Sequence, residues 1–493
     1  MSTTLVAGSM RRSFPLIRVF GVLLMGFSLT MLVPLLLSWW WQDGAEKAYD
    51  EAFFLSFVVG LGLWWTARAE SNELKIRDGF LMVVMVWILL PVFACLPLML
   101  QLDLSFTDAY FEAVSGLTTT GATVLSELDT LPPSINLWRG MLVWLGGMGL
   151  IVLAVAILPL LGIGGRQMFK AETPGPMKDS QLTPRMTETA KGLWVVYAAI
   201  TVACGLCYRL AGMSGFDAVM HAFTTMGLGG FSSHDASFGF WNSPAIEAVS
   251  IFFMLLAGMN FATHFTALRG RSLQAYGRDP ELRWFLLVML ASVAGIALYL
   301  RLLGTYAEFP AALRFAAFNV VSIATTTGFA STDYNLWPGF APLWMLFLSS
   351  FATCAGSTGG GIKMVRAMIL YKQVYRELMR AMHPSAVWPV RFGDKPVPLN
   401  ILSAVMAFGF VYMVSIVLMT IVMAFSGMEI VSAFTAVVAS INNTGPGLNQ
   451  VGPASTYASL TDVQTWVCTF AMLLGRLEIF TLLVVLTPAF WRR

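Results

Sequence analysis

Long apolar runs separated by short polar stretches dominate the hydrophobic pattern of the chain. Ten runs are long enough to cross a hydrocarbon core of about 30 Å as helices. They lie at about residues 14–38, 51–68, 79–101, 136–162, 191–213, 243–268, 283–304, 340–375, 397–426 and 461–490. The pattern predicts an all-α polytopic membrane protein without a sizeable aqueous domain.

Four shorter apolar pieces alternate with the later runs, and each is too short to span. They read "FTDAYFEAVSGL", "GFDAVMHAFTTM", "FPAALRFAAFNVVSIA" and "GMEIVSAFTAVVASI". Each leads into a related phrase, namely "GLTTTGATV", "FTTMGLGGFSS", "ATTTGFAS" and "INNTGPGLN". Irregular backbone at membrane depth is tolerated only where protein buries it or where it lines water. We therefore predict four re-entrant helices, each followed by a turn, with the glycines in register at Gly121, Gly227, Gly328 and Gly445.

This register predicts a fourfold repeat of helix, pore loop and helix around a central pore. The first two runs fall outside it and form an added N-terminal pair. The expected divisions are an N-terminal extension at 1–78 and pore repeats at 79–165, 166–277, 278–392 and 393–493.

Composition and charge narrow the class of protein. With 57% hydrophobic and 12% charged residues, the chain is not a set of soluble domains. Most of its 30 basic residues fall in the loops on one side of the predicted spans, which predicts a cytoplasmic N-terminus. All five cysteines lie in apolar runs, so neither disulfides nor a zinc site is expected. Titratable residues within the spans are too sparse for an enzyme, and no nucleotide-binding motif indicates an organic cofactor.

Four glycine turns meeting on one axis would offer rings of oxygen atoms to a cation. Glycine allows backbone angles closed to other residues, so carbonyl groups can point inward at a passing ion. The alternative is that the Thr and Gly residues only let helices pack closely. The candidate filter residues are Thr119, Thr120, Gly121, Thr225, Met226, Gly227, Thr326, Thr327, Gly328, Asn443, Thr444 and Gly445.

Two features are candidates for a gate below this filter. The phrase "CAGSTGGGIK" places several glycines inside an expected helix, and glycine costs about 1 kcal/mol there relative to alanine. We predict a break in the helix at Gly356, Ser357, Thr358, Gly359, Gly360, Gly361 and Lys363. Arg476 lies near the middle of the last run and should face the pore or a buried carboxylate instead of lipid. A small-residue helix interface and a buried ion pair are the respective alternatives, although Glu478 is not the obvious partner.

The repeat with its turns resembles the Trk/Ktr/HKT superfamily of cation transporters, and in detail its TrkH branch. The resemblance also rests on "WLGGMGLIVLAVAILP", "LTPRMTETAKGLW", "CAGSTGGGIK", "HPSAVWPVRFGDK" and "GRLEIFTLLV", and it covers essentially the whole chain. It implies potassium transport in the bacterial inner membrane, a homodimer in membrane lipid, and a cytosolic nucleotide-binding subunit of the TrkA type. Nucleic acid is not an expected partner.

The resemblance bears on selectivity and on the driving force. Glycine at all four filter positions favours K⁺, and the unequal neighbours predict weaker discrimination against Na⁺ than in a symmetric channel. An ion-coupled potassium symporter is the alternative to a gated channel.

Overall fold

The structure, a computed structural model, describes residues 2–68, 76–149, 186–393 and 395–492. Within these ranges, five helices are long and apolar enough to cross a membrane, and two sharply bent helix pairs raise the number to seven. A two-stranded antiparallel hairpin pairs Arg391–Phe392 with Lys395–Pro396. The predicted all-α polytopic membrane fold is confirmed.

The N-terminal extension is a tightly packed pair of helices. Its first arm runs as Ser2–Thr30 and Leu32–Trp41, and the second is Glu46–Ala67. The arms cross where a Cβ on Gly21 would lie 2.7 Å from the carbonyl oxygen of Gly60. Small residues let helix backbones approach closely within a bilayer, so this crossing is built from them.

The rest of the described chain repeats one unit of three elements four times. The leading helices are Ile76–Ala94 with its continuation Leu96–Leu102, Met186–Leu210, Pro280–Leu302 and Leu399–Phe425. The pore helices are Phe106–Leu117, Gly215–Gly227, Phe309–Ala324 and Ile430–Ile441. The following helices are Pro133–Trp144, Pro244–Gly258, Phe340–Ser349 and Asp462–Arg476.

Every following helix departs from regular α-helical geometry at its C-terminal end. The side of the molecule on which these ends lie is called the lower side. The first continues as the π-helical turn Leu145–Gly149. The second bends by 94° into Phe261–Gly270, and the fourth bends by 112° into Phe480–Leu486. The third gives way to an irregular stretch before Met364–Met382 begins. The break predicted in the third repeat is therefore present, and the other repeats share the interruption.

Short elements complete the described chain, most of them in the connections between pore and following helices. The short helices are Gln274–Arg278 and Pro488–Trp491, and the 3₁₀ turns are Leu128–Thr130, Ser237–Gly239, Tyr334–Leu336, Asn449–Val451 and Tyr457–Ser459.

Some predicted features lie outside the described residues. These are the part of the run 136–162 beyond residue 149, the boundary between 165 and 166, and the basic residues from Arg166 to Arg185. The run at 51–68 is helical within Glu46–Ala67, and the run at 340–375 is two helices with an irregular break between them.

Three of the four pore helices, the first, second and fourth, begin with local side-chain caps. Ser105 and Ser214 accept hydrogen bonds from the amides of Asp108 and Asp217, at 3.1 and 3.0 Å. Glu429 caps the fourth pore helix through two backbone amides, both at 2.8 Å. Capping fixes where each helix starts, and hence where its C-terminal turn lies.

Candidate functional site

Three of the four predicted turns share one backbone conformation. In each of them the first residue and the glycine both have positive φ, between 55° and 92°. These pairs are Thr119 and Gly121, Thr326 and Gly328, and Asn443 and Gly445. Side chains other than glycine adopt such angles at a cost, so the repeated pattern indicates one shared architecture.

The register predicted for the second turn is wrong by three residues. Gly227 is the last residue of the pore helix Gly215–Gly227 and does not lie in the turn. The residue with positive φ is Leu228, at 53°, which takes the place that Thr119 has in the first turn. The structural counterpart of the first-turn glycine is therefore Gly230.

Hydrogen bonds at the helix end support this correction. The amide of Gly229 donates to the carbonyl of Thr224 at 3.0 Å, just as the amide of Thr120 donates to Ser115 at 2.8 Å. Thr225 lies in the last turn of the second pore helix, where its hydroxyl contacts the Tyr208 hydroxyl at 2.7 Å. Thr225, Met226 and Gly227 are thus below the turn, and 228–230 form it.

The four turns, 119–121, 228–230, 326–328 and 443–445, touch one another in a closed ring. The amide of Gly230 donates to the carbonyl of Thr327 at 2.5 Å. Added Cβ atoms would collide around the whole ring: Gly121 with Gly230 N at 2.6 Å, Gly230 with Thr327 O at 2.6 Å, Gly328 with Thr444 O, and Gly445 with Thr120 O at 2.7 Å. A side chain at any of these four positions would have to displace the neighbouring turn, because backbone meets backbone there.

A polar side chain in each of the first three pore helices holds the strand that leaves the turn. Glu112, His221 and Asn319 stand at the same distance before their glycines, provided that the second glycine is Gly230. Their bonds are Glu112 to Thr123 Oγ1 and Val124 N at 2.9 and 3.0 Å, His221 to Ser232 Oγ at 2.9 Å, and Asn319 to Ser331 N at 3.2 Å. His221 therefore ties the second pore helix to the strand that follows its own turn.

The fourth turn is held differently. The hydroxyl of Thr435 accepts from the amide of Leu448 at 3.0 Å. The hydroxyl of Tyr457 donates to the carbonyl oxygen of Gly445 at 2.8 Å. A side-chain donor thus engages a carbonyl of the glycine ring directly.

A fully buried ion pair lies within the first repeat above the turns, and its arginine also bonds to the second repeat. Arg139 Nε lies 2.8 Å from Glu112 Oε1, and both side chains are 0% exposed. Arg139 also donates to the carbonyl of Ser232 at 3.1 Å. Removing one partner of such a pair leaves an uncompensated buried charge, so each depends on the other.

The glycine-rich loop, residues 354–363, lies directly under the turns. Thr358 Oγ1 donates to the carbonyl of Met226 at 3.0 Å, and the amide of Gly360 donates to Thr326 Oγ1 at 2.9 Å. A Cβ on Gly360 would overlap the carbonyl oxygen of Asn442. The loop therefore contacts the lower ends of the second, third and fourth turns or their helices.

Arg476 covers the lower side of the first turn. Its guanidinium donates to Thr119 Oγ1 at 3.2 Å and to the carbonyl of Thr358 at 3.1 Å. It also donates to the carbonyls of Gly146 and Gly147. Arg476 and the glycine-rich loop together contact all four repeats below the turns.

Other predicted gate residues shape this loop. Gly356 and Gly361 have φ of 76° and 77°, and Ser357 Oγ donates to the carbonyl of Cys354 at 2.6 Å. Lys363 is buried and donates to the carbonyl of Gly359. Gly359 lies against the third turn, where a Cβ would be 3.0 Å from Thr326 Oγ1.

Glu478 pairs with Arg366 and not with Arg476. Its Oε2 lies 2.6 Å from Arg366 Nη2. Glu478 is thus not the partner of Arg476, as expected, but the helical-spacing argument does not explain this, because the helix Asp462–Arg476 ends before Glu478, which has φ of 51°.

The family described as TrkH, cation transport protein, matches residues 45–492. The Trk system potassium uptake protein TrkH of Salmonella typhimurium is 47% identical over 96% of this chain and 98% of its own length. The chain belongs to the TrkH family of cation transport proteins. A TrkH protein of Halomonas elongata is also 47% identical, over 97% of this chain and 99% of its own.

A solved TrkH structure has the same fold. The crystal structure of the potassium transporter TrkH from Vibrio parahaemolyticus superimposes with a TM-score of 0.88 at 43% identity, covering 97% of this chain and 99% of that one. Membership of the TrkH family makes this a multi-pass membrane protein of cation transport.

Sequence reasoning missed Gly230, the Glu112–Arg139 pair and Tyr457. A signal for Gly230 was present, since the capping serines Ser105 and Ser214 stand equally far before Gly121 and Gly230. The phrase "GLGG" contains three glycines, and the predicted register uses the first of them. The contacts of Glu112 and Tyr457 are long-range, and no local pattern marks them.

Proposed function

We propose that this chain conducts K⁺ into the cell through a filter made of the turns 119–121, 228–230, 326–328 and 443–445. The ring of backbone contacts through Gly121, Gly230, Gly328 and Gly445 carries the proposal. Carbonyl and hydroxyl oxygens from the turns would replace the hydration shell of the ion. The C-terminal ends of four pore helices, which carry partial negative charge, lie just below these turns.

Two further observations support a potassium pathway. The relatives that match this chain over nearly their whole length are named potassium uptake proteins. In the fourth turn, Thr444 Oγ1 is buried and makes no hydrogen bond to the described protein, which leaves it as an acceptor for a cation.

The glycine-rich loop and Arg476 form the proposed gate. The loop contacts the second, third and fourth repeats under the turns, and the guanidinium of Arg476 contacts the first repeat at Thr119. A fixed positive charge in this position would repel a cation that leaves the filter. The gate opens when the loop and the arginine withdraw.

Rubidium uptake into proteoliposomes, with Na⁺ as competitor, tests the filter. We expect Gly230→Ser to lower the preference for Rb⁺ over Na⁺ about ten-fold. The added side chain would move carbonyl oxygens of the ring and so change the coordination of the ion. Gly227→Ser is the matched control, since its Cβ would meet Val143 and not another turn. A change of preference in Gly227→Ser, with none in Gly230→Ser, would contradict the proposed filter.

The same vesicles separate a channel from a symporter. For a channel, the reversal potential follows the K⁺ gradient alone, whereas a second gradient of Na⁺ or H⁺ would shift it for a symporter. Three further features stay predictions: a homodimer, a TrkA-type regulatory subunit, and a location in the inner membrane with a cytoplasmic N-terminus.

A further inference from the structure

Glu281 makes an unusual pair of contacts with the glycine-rich loop. Its Oε1 accepts from the amide of Ala355 at 2.8 Å and from the amide of Val365 at 2.9 Å. These two amides stand at opposite ends of the loop. One carboxylate oxygen, in a residue only 4% exposed, therefore brings both ends of the loop together.

The carboxylate is not needed by its own helix. Pro280–Leu302 is capped by Asp279, whose Oδ1 accepts from the amides of Glu281 and Leu282 at 3.0 and 3.3 Å. Helix capping therefore does not account for the position of the Glu281 side chain, which reaches away to another element.

The helix that receives the carboxylate has no cap of its own. Lys363 precedes Met364–Met382 with φ of 73° and gives no side-chain cap. The amide of Val365 is one of the N-terminal donors that a helix leaves without an intrahelical partner. Glu281 supplies this acceptor from the leading helix of the same repeat.

We propose that Glu281 is the positioning residue that holds the glycine-rich loop against the lower side of the four turns. A loop whose ends are fixed has few conformations, and removing the bridge that Glu281 makes between them raises the entropy of the loop and favours its departure from the turns. The positioning role of Glu281 does not depend on the proposed function. Only the interpretation of the held loop as a closed gate rests on that function.

Three substitutions separate the effect of side-chain length at residue 281 from the effect of its charge. Glu281→Ala removes the acceptor, and Glu281→Asp keeps the charge but is one methylene too short to serve both amides. Glu281→Gln keeps an oxygen at the same reach without the charge. We expect loop release in the order Ala, then Asp, then Gln, with Gln closest to the wild type. A purely electrostatic role would instead place Asp closest.

Labelling of Cys354 measures loop release directly. This thiol is in the loop and fully buried, and its backbone amide donates to the carbonyl of Gly258 at 3.0 Å. In a background where Cys95, Cys204, Cys207 and Cys468 are alanine, we expect Glu281→Ala to raise the rate of maleimide labelling about ten-fold or more, because two hydrogen bonds to the buried carboxyl group are lost. Asp279→Asn is the control for charge loss at the same helix end.

Rubidium flux through the same variants tests the gate separately. Equal labelling rates in the wild type and in both Glu281→Ala and Glu281→Asp would overturn the role of Glu281, as would an equal rise in Asp279→Asn. If Glu281→Ala does not assemble, the labelling rates of the other two variants decide between the two roles. Faster labelling in Glu281→Asp than in Glu281→Gln supports the positioning role, and the reverse order contradicts it. Faster labelling with unchanged flux would uphold the positioning role and instead count against the loop as the gate of the proposed function.

Discussion

The two sides of the four turns are held in different ways. Above the turns, side chains of the pore helices themselves anchor the departing strands, as Glu112, His221 and Asn319 do. Below the turns, the contacts come from separate elements, the glycine-rich loop and Arg476. Anchoring of a turn by its own pore helix gives rigidity. Contacts with a separate loop or side chain can be broken without unfolding the turn. The upper side is suited to selectivity and the lower side to gating.

The largest expected effect lies on the upper side, at the buried Glu112–Arg139 pair. Arg139→Ala leaves the Glu112 carboxylate buried without its partner, which costs about 3–5 kcal/mol of folding free energy. We expect a large loss of folded protein, measured by size-exclusion chromatography and thermal denaturation in detergent. Replacing both residues with apolar ones, as Glu112→Leu with Arg139→Met, should be less damaging than Arg139→Ala alone. A double variant that is worse than the single one would contradict the argument from buried charge.

On the lower side, Arg476→Ala should raise flux and leave the protein folded. The guanidinium bonds to Thr119, Thr358 and Gly147 are lost, at about 1.5–3 kcal/mol for each charge-assisted bond. We expect Rb⁺ flux to rise about ten-fold or more and the melting temperature to fall without loss of the fold, because the lost bonds also stabilise the structure. Arg476→Lys keeps the charge without the forked donor, so low flux in Lys would assign the barrier to charge, and high flux to the hydrogen bonds. Unchanged flux in Arg476→Ala would remove Arg476 from the gate.

A smaller effect is expected where a side chain of the upper side reaches a carbonyl of the ring. Tyr457→Phe removes the bond to the Gly445 carbonyl, with a net value of about 1 kcal/mol. A freed carbonyl can reorient, so the preference for Rb⁺ over Na⁺ should fall several-fold. Tyr412→Phe is the control, because its hydroxyl donates to the side chain of Asn442 at 2.7 Å. An equal loss of preference in both variants would mean that packing is responsible and not the carbonyl.

The sequence was sufficient for the architecture because each repeat carries its own local signals. Apolar length, the short pore helices and the glycine phrases together predict the helices and their order, and the break at the glycine-rich loop follows from its glycines. The position of Arg476 was also predictable, since a charge amid apolar residues must find polar contacts.

The sequence was insufficient where neighbouring repeats decide the outcome. The choice among Gly227, Gly229 and Gly230 depends on which backbone meets the third turn, and that contact is not local. The same holds for Glu281, whose partners Ala355 and Val365 are far along the chain. A helical acid near an N-terminus ordinarily reads as a favourable dipole contact, so nothing local marks it as a clamp.

The smallest expected effect tests whether the upper side is uniformly rigid. His234, after the second turn, contacts Asp129 of the first repeat and lies 3.4 Å from Asp217. Burial lowers the pKa of His234, but hydrogen bonds and charges of Asp217 and Asp129 outweigh burial and raise this pKa above its ordinary value. The protonated imidazole is therefore favoured in the folded state. Its stabilisation is fully present below about pH 6.5 and is lost as pH rises through the raised pKa.

Because the Asp129 side chain is 43% exposed, the contribution is about 1 kcal/mol or less. We expect His234→Gln to lower the melting temperature by a few degrees at most near pH 6, with the difference vanishing at alkaline pH. A double-mutant cycle with Asp129→Asn isolates the pair, since its coupling energy should be present at pH 6 and absent at pH 9. Coupling that is equal at both pH values would show that this contact between the first two repeats does not depend on the protonation of His234.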